Sequence, residues 1–430
     1  MNNKFLQLKA LKQIIDEKKS FQSVLENIVR QNNLSENDKV VFKLDVLGSL
    51  RHFYQLQYEA TKEFPEFMPD DDEIYLIIIA LYELRYHSKD LAGYEVINQT
   101  TATIKFMSLR LDSEQVKNKL EEITKKKFVL PEDLKKDLYA YNALFFNTPK
   151  WIIELLTSEY GDDICMNFLL SSQRKGSQYL AINTIYRKIE DFSNDVRFIH
   201  PQVLNTALEY QTGKCSNLIE VKKGDLFPQD LSTQIMLNSL NYCFKQKTLH
   251  IGAKSGSIMA EVAIRIHDNG GYVDALFSND KKYSSAKYLS RRLGLDNTHI
   301  FYGSLKMMKT YSPYNSYDMV IYSPNSSKLG QVRRRPDIFP TLQKEDIFKY
   351  CAKSSIDLNE VKKFVASDSY LIYHVPTITK EETINIIKDF LSKNDDFILE
   401  YERQIFPYEY GSDGLYLSLI HISEPTRLLS

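Results

Sequence analysis

The sequence predicts a multidomain protein in which an all-α domain and a small α+β module precede a doubly wound α/β domain. The chain has 430 residues, enough for two or three domains with sizeable cores. Apolar residues recur at helical spacing through residues 1–145, whereas strand-like and helix-like segments alternate after residue 247. The predicted boundaries are 1–145 for the helical domain, 146–223 for the small module, 224–418 for the α/β domain and 419–430 for a tail.

Composition and charge are those of an ordinary globular protein. Hydrophobic residues make up 43% and charged residues 26%, and the formal net charge is −1. A nucleic-acid site would therefore have to be a local basic patch. The opening MNNKFLQLKALKQII has lysines inside what would be the apolar core of a signal peptide, and the apolar stretch Ile74–Leu81 is too short to cross a bilayer. We expect a cytoplasmic protein without a membrane segment.

The four cysteines predict neither a metal centre nor a redox motif. Cys165, Cys215, Cys243 and Cys351 are far apart and form no C-x-x-C pair. Such cysteines are expected to be small buried apolar residues in a reducing compartment. No metal is expected.

The helical domain is predicted from two apolar stripes and the residues that separate them. Pro65 and Pro69 end one helix, and Asp70–Asp72 supply N-cap and first-turn acids to the next. Apolar residues at spacings of three and four form the stripes, which are Leu44, Leu47, Leu50 and Tyr54 in one segment and Ile74, Ile77, Ile78, Leu81 and Leu84 in the other.

Two changes of pattern mark the downstream domains. Pro149 starts a new helix at a position where its missing N–H costs nothing, and residues 179–225 then alternate between strand-like and helix-like pieces. From residue 248 onward the order is strand TLHIGA, helix, strand YVDALF, helix, which is typical of a doubly wound parallel sheet. The turn at Gly252 and Gly256 could hold backbone N–H groups against a nucleotide-like ligand, although such a turn is also a common structural element.

Four segments in order carry a resemblance to a known family. They are GDLFPQDLSTQ (Gly224–Gln234), SRRLGL (Ser290–Leu295), YDMVIYSPNSSKLGQVRRRPDI (Tyr317–Ile338) and SDGLY (Ser412–Tyr416). Together they resemble motifs of the RsmB/Sun-type bacterial 16S rRNA cytosine-5 methyltransferases. The resemblance implies a class I, Rossmann-like domain that uses S-adenosyl-L-methionine. It also implies a NusB-like helical domain in front, which Gly48–Arg51 and the Ile74–Tyr86 helix resemble.

By this resemblance, the catalytic centre follows the strand Met319–Tyr322. The family uses a cysteine thiolate that adds to carbon 6 of cytosine and a second cysteine that assists its release. Ser326 occupies the first cysteine position, Pro376 the second, and Ser323 the position of the family's aspartate. A serine hydroxyl is a weak nucleophile unless a base is aimed at it. His374 is the nearest candidate base by topology, although a lone histidine at a strand end is more often structural.

The cofactor motifs have changed in the same way. The resemblance implies that Gly252, Ala253, Gly256 and Asp280 would contact S-adenosyl-L-methionine. Asp280 lies beyond the usual place of the ribose-binding acid, so it would reach the ribose only in a rebuilt loop. His250 stands at the position of the family's first acid, and Ile258 at the position of its motif lysine. Phe277 and Ser304 stand at the positions of its two later acids.

The basic turn of the family is kept as Arg333, Arg334 and Arg335. The resemblance implies that these side chains contact RNA phosphates, with small-subunit rRNA as the partner. The alternative is a solvated run of surface charge.

Three functions stay open. The first is a catalytically impaired family homologue that acts by binding RNA. The second is an active S-adenosyl-L-methionine-dependent rRNA cytosine-5 methyltransferase with altered site chemistry. The third is a protein-interaction factor that works through a partner of the NusB-like domain.

The last segment, LIHISEPTRLLS (Leu419–Ser430), resembles the peptide encoded by a translated sequencing adapter. Because the SDGLY segment matches the usual end of the family, we expect the protein proper to reach about Ser418. The alternative is a genuine short extension.

Overall fold

The computed structural model describes residues 3–86, 93–204, 206–240, 243 and 246–422. The chain divides into two compact units. One consists of Met1–Gln173 with Arg334–Gln343, and the other of Arg174–Arg333 with Lys344–Ser430. The first unit thus continues past the predicted boundary at residue 145.

The first unit is helical, as predicted. Acidic or hydroxyl side chains cap several of its helices, as when Ser35 accepts a hydrogen bond from the Asp38 N–H. The helices are α1 (Asn3–Ile15), α2 (Phe21–Gln31), α3 (Glu36–Arg51), α4 (Phe53–Glu63), α5 (Asp72–Tyr86), α6 (Gly93–Met107), α7 (Ser113–Thr124), α8 (Leu138–Phe145), α9 (Lys150–Tyr160) and α10 (Asp162–Ser172).

Helix α5 is the centre of this unit. Every residue from Glu73 to Leu84 is buried, because apolar side chains surround the helix instead of forming one stripe. Asp72 and Glu73 stand in its first turn, where the helix dipole favours negative charge. The predicted helix start is therefore confirmed.

A buried polar cluster joins α1, α3 and α5. Lys4 Nζ donates to Glu83 Oε2 at 2.6 Å, and Gln7 Nε2 donates to Asp45 Oδ2 at 2.7 Å. Burial, helped by the nearby Glu83 charge, raises the pKa of Asp45 to about 8. The folded protein therefore holds this carboxyl protonated at pH values where the unfolded chain ionises it.

Asp45→Asn is expected to raise the free energy of unfolding by about 5 kcal/mol at pH 8 and to leave it unchanged near pH 4. Because the folded pKa lies above the unfolded value, stability contributed by the protonated carboxyl is present below about pH 4 and is lost as pH rises to about 8. Urea denaturation across this range measures the effect, with the exposed Glu36→Gln on α3 as control. A difference that does not vary with pH would contradict it.

The second unit contains a four-stranded antiparallel sheet in the order β2-β3-β1-β4. Its strands are β1 (Gln178–Ile182), β2 (Phe198–Ile199), β3 (Ala207–Tyr210) and β4 (Leu226–Pro228), with helix α11 (Ile219–Lys223) before the last strand. The α+β character of this module is as predicted. Its sheet extends beyond the predicted boundary at residue 223, because β4 pairs with β1.

The same unit contains a seven-stranded sheet in the order β10-β11-β9-β8-β5-β6-β7. The pairs among β5 to β9 are parallel, and β11 is antiparallel to both β9 and β10. The strands are β5 (Lys247–Ile251), β6 (Tyr272–Phe277), β7 (Thr298–Tyr302), β8 (Tyr317–Tyr322), β9 (Val365–Val375), β10 (Phe397–Ile405) and β11 (Leu415–Ile422). The doubly wound prediction is confirmed.

Helices connect the strands of this sheet and bury its two faces under separate apolar clusters. They are α12 (Leu231–Ser239), α13 (Ser257–Ile266), α14 (Asp280–Arg292), α15 (Leu305–Tyr311), α17 (Lys344–Val361), α18 (Ile384–Ser392) and α19 (Pro407–Tyr410), while α16 (Ile338–Thr341) belongs to the first unit. The chain runs outward from β5 to β7 and then returns to β8 on the other side of β5. The crevice between β5 and β8 is therefore the topological switch point, where open α/β sheets bind ligands.

Side chains of the GDLFPQDLSTQ segment form hydrogen bonds that link separate parts of the second unit. Asp230 caps α12 by accepting from the Ser232 N–H at 3.0 Å, and it also accepts from the Asp413 N–H at 3.0 Å. Gln229 Nε2 donates to the Ser257 carbonyl at 3.2 Å. These residues therefore hold the entry to α12, the start of α13 and the SDGLY segment in one place.

The predicted end of the protein at Ser418 lies inside β11 and is corrected by the sheet. Leu419 and Ile420 are fully buried and pair with both β9 and β10. The strand continues to Ile422, so a boundary at residue 418 would cut the sheet. The rest of the adapter-like segment, residues 423–430, lies outside the described residues.

Candidate functional site

A cavity of about 240 Å³ lies at the switch point, beside the carboxyl ends of β5, β6 and β8. Gly252 and Ala253, two of the four residues for which cofactor contacts are predicted, line it. Gly256 and Asp280 are not among its lining residues: Gly256 precedes α13 and packs on Ala286, and Asp280 is exposed in the first turn of α14. The structure thus brings together only half of the predicted cofactor residues.

The turn after β5 touches the turn after β8. Gly252 has a φ of +76°, and a Cβ on it would lie 2.3 Å from the Ser323 carbonyl oxygen. The Ser323 N–H in turn donates to the Ile251 carbonyl at 2.9 Å. Only glycine fits this conformation and this close approach. The turn after β5 therefore packs directly against the turn after β8.

Where these two turns meet, Ser323 lies between two buried histidines. His250 Nε2 is 3.0 Å from Ser323 Oγ, and His374 Nδ1 is 3.5 Å from the same oxygen. Burial lowers the pKa of each ring to about 3, with smaller contributions from His374 to the shift of His250 and from the Lys254 charge to both. Both rings are therefore neutral at physiological pH, and the family's acid position, now His250, carries no charge.

The nucleophile position is isolated from any base. Ser326 is buried, and its Oγ makes no hydrogen bond within the described part of the chain. His374, the base that sequence topology favoured, faces Ser323 instead. Pro376 directly follows the end of β9 and is half-buried. The proline side chain has no nucleophilic group.

The buried carboxyl group of Glu382, which the sequence pattern did not indicate as a site residue, links the turn after β8 to the turn after β9. Glu382 accepts from the Ser327 N–H at 2.7 Å and from the Thr377 and Thr379 hydroxyls, each at 2.9 Å. The Ser327 hydroxyl also donates to it. Burial raises the pKa of Glu382, and these hydrogen bonds act in the opposite direction. The signal for it in the sequence is the pair of acidic residues Glu381–Glu382, which follows shortly after the end of β9.

Lysines line the cavity, which the sequence did not predict. Lys254 Nζ donates to the Pro324 carbonyl, and burial, followed by the charges of Lys328 and Lys282, lowers its pKa to about 7. Lys282 and Lys353 also line the cavity. The expected acid positions are uncharged: Phe277 is wholly buried in the core, and Ser304 contributes only a hydroxyl.

One acid, Asp357, lines the cavity within the described residues. It accepts from the Tyr322 hydroxyl at 3.0 Å and from Lys353 Nζ at 2.6 Å. Its negative charge is therefore engaged by the protein itself. S-adenosyl-L-methionine needs acceptors for its ribose hydroxyls, and these lining residues fit it poorly.

The three arginines of the basic turn have different surroundings. Arg333 is 6% exposed and donates to the Lys175 carbonyl at 2.9 Å and to the Ser412 carbonyl at 3.4 Å. Arg335 pairs with both Asp337 oxygens, at 2.9 and 2.7 Å. Arg334 is exposed. Of the three side chains, that of Arg334 is the most exposed.

Comparison with known proteins finds similarity to one family. Residues 239–421 match the family model described as 16S rRNA methyltransferase RsmB/F. The ribosomal RNA small subunit methyltransferase B of Proteus mirabilis is 23% identical over 440 residues, which cover 98% of each protein. The resemblance indicated by the sequence motifs is confirmed.

Solved structures show the same fold. The crystal structure of PH0851 has a TM-score of 0.79 at 14% identity and covers 97% of this chain and 98% of that one. A methyltransferase homologue from Pyrococcus horikoshii has a TM-score of 0.57 at 15% identity, with 66% of this chain and 99% of that chain covered. The helical N-terminal region followed by a Rossmann-like domain is confirmed, whereas the NusB likeness of residues 1–145 stays a prediction.

Within the described ranges, no helix is both long and apolar enough to span a membrane. In the same part of the chain, no group of three or more His, Cys, Asp or Glu side chains is placed to hold a metal ion.

Proposed function

Since this chain is a relative of the RsmB/F-type 16S rRNA methyltransferases, we propose that it binds small-subunit rRNA without methylating carbon 5 of cytosine. The observation that carries this proposal is the absence of a usable nucleophile after β8. Ser326 replaces the thiol and has no base within hydrogen-bonding distance among the described residues. An unassisted serine hydroxyl ionises far too weakly to add to carbon 6 of a pyrimidine.

None of the four cysteines replaces the missing thiol. Cys165 and Cys243 are buried, and Cys215 lies in the small module. Cys351 on α17 comes near the site, since its Sγ donates to the Glu381 carbonyl at 3.3 Å. Burial and the charges of Glu382 and Glu381 raise the pKa of Cys351 to about 12, so it stays a neutral thiol.

Two alternatives are kept for testing. An active methyltransferase with altered site chemistry would need Ser326 to be activated and S-adenosyl-L-methionine to be bound without ribose acids. A protein-interaction factor would work through a partner of the helical N-terminal unit, and its RNA affinity would not depend on the basic turn. Methyl transfer distinguishes the first alternative, and the Arg334 variant described next distinguishes the second.

Arg334→Ala is expected to weaken binding to a small-subunit rRNA transcript and to reduce the slope of log affinity against log salt by about 1. Removal of one exposed guanidinium removes one phosphate contact. Filter binding at several salt concentrations measures both quantities. Arg335→Ala is the control, because that side chain pairs with Asp337 and should leave the slope unchanged. Equal slopes for wild type and Arg334→Ala would show that this side chain does not contact phosphate.

A further inference from the structure

The lining of the switch-point cavity has the wrong charge for a sulfonium nucleoside. Lys254, Lys282 and Lys353 line the cavity, the pKa of Lys254 is lowered to about 7, and Lys353 Nζ pairs with the Asp357 carboxylate at 2.6 Å. The lining therefore has a net positive charge near neutral pH. S-adenosyl-L-methionine itself carries a net positive charge. The positions where the family resemblance implies acids hold a neutral histidine, a buried phenylalanine and a serine.

Lys254 is the key cation of this cavity. It stands on the turn after β5, which lines the cavity, and donates one of its N–H groups to the Pro324 carbonyl. An ammonium has three such groups. Lys282 and Lys328 lie close enough to disfavour its charge, so a bound anion would stabilise the cluster.

The rest of the lining suits the base and sugar of a nucleotide. Leu276, Leu305 and Tyr322 give apolar surface, while Ser278 and Asn325 offer polar groups. A Gly-bearing turn at the switch point of a doubly wound sheet is a general nucleotide-binding geometry. The cavity of about 240 Å³ is slightly smaller than the usual ligand pocket of about 300–1,000 Å³, so a bound nucleotide would extend partly beyond it.

We propose that this cavity binds a free nucleoside phosphate, with Lys254, Lys282 and Lys353 around the phosphate groups. Phosphate oxygens are strong acceptors for ammonium groups, and a charge-assisted contact of this kind is stronger than a neutral one. This inference is independent of RNA binding: if the nucleotide fails to bind while rRNA still binds, the inference fails and the proposed function stands.

The test is calorimetric titration of ADP into the full chain, beside titration of adenosine. We expect ADP to bind at least about tenfold more tightly than adenosine, and its affinity to fall with added salt. Lys254→Met should weaken ADP binding about tenfold or more, as should Lys353→Met, which serves if the first variant fails to fold. Lys349→Met is the matched control, because that lysine is exposed on the same helix as Lys353 and does not line the cavity.

Four results would overturn the inference. One is no detectable binding of ADP at millimolar concentration. Another is adenosine binding as tightly as ADP, which would show that the lysines do not engage phosphate. The third is ADP affinity that is unchanged in both lysine variants, which would place the nucleotide elsewhere. Binding of a short RNA oligonucleotide in place of ADP would also contradict a free-nucleotide site.

Discussion

S-adenosyl-L-methionine titrated into the full chain is expected to give no binding heat at concentrations up to the millimolar range. Two groups that would accept hydrogen bonds from the ligand are missing, since Phe277 is buried in the core and His250 is neutral and bonded to Ser323. Each lost hydrogen bond to a charged group costs about 1.5–3 kcal/mol, so the two together weaken binding by about 10²–10⁴-fold. Lys254 adds repulsion toward the cationic ligand.

The control for this titration changes one cation only. Lys254→Ala removes the repulsion without restoring the acids, so we expect at most weak binding in that variant. Titration of S-adenosylhomocysteine, which lacks the sulfonium charge, separates repulsion from the loss of acceptors. Micromolar binding of S-adenosyl-L-methionine to the unchanged chain would contradict the expected result and would favour the active-methyltransferase alternative.

Glu382→Ala is expected to lower the free energy of unfolding by about 3–5 kcal/mol. The change would leave the Ser327 N–H and the hydroxyls of Ser327, Thr377 and Thr379 without their common acceptor in a buried setting. Each buried donor left unsatisfied costs about 1–3 kcal/mol, although local relaxation recovers part of this. Urea denaturation followed by circular dichroism measures the loss.

The neighbouring residue provides the control for this variant. Glu381 is half-buried, and within the described residues its Oε2 has no hydrogen-bond partner. Glu381→Ala should therefore change the free energy of unfolding by less than about 1 kcal/mol. Comparable losses in the two variants would mean that the stabilisation comes from packing of the loop and not from the carboxylate.

Features set by local pattern were predictable from the sequence. The start of α5 follows from Asp72 and the apolar run after it, and the doubly wound sheet follows from alternating strands and helices. The turn at Gly252 also has the expected place, because glycine is needed where two turns approach closely.

Features that depend on distant parts of the chain were not predictable. The contacts among His250, Ser323 and His374 join three strands, and spacing along the chain gives no sign of them. Arg333 belongs to a basic run, yet it is buried and donates hydrogen bonds to the carbonyl groups of Lys175 and Ser412. A charge run predicts exposure only when nothing else in the fold accepts its hydrogen bonds.

The end of β11 was not predictable from the sequence for a different reason. Resemblance to an adapter peptide separated Leu419–Ser430 from the fold, while apolar Leu419 and Ile420 fit the alternation of a strand. Burial in a sheet depends on the neighbouring strands β9 and β10, which a short segment does not reveal. Register with those strands extends the domain to Ile422.

Transfer of a radiolabelled methyl group from S-adenosyl-L-methionine to a small-subunit rRNA transcript tests the proposed loss of chemistry most directly. The wild-type chain and Ser326→Ala are compared on the same transcript, under conditions where filter binding shows the RNA to be bound. We predict no incorporation above background for either protein. Incorporation by the wild type into carbon 5 of cytosine, lost in Ser326→Ala, would contradict the proposal and identify Ser326 as a working nucleophile.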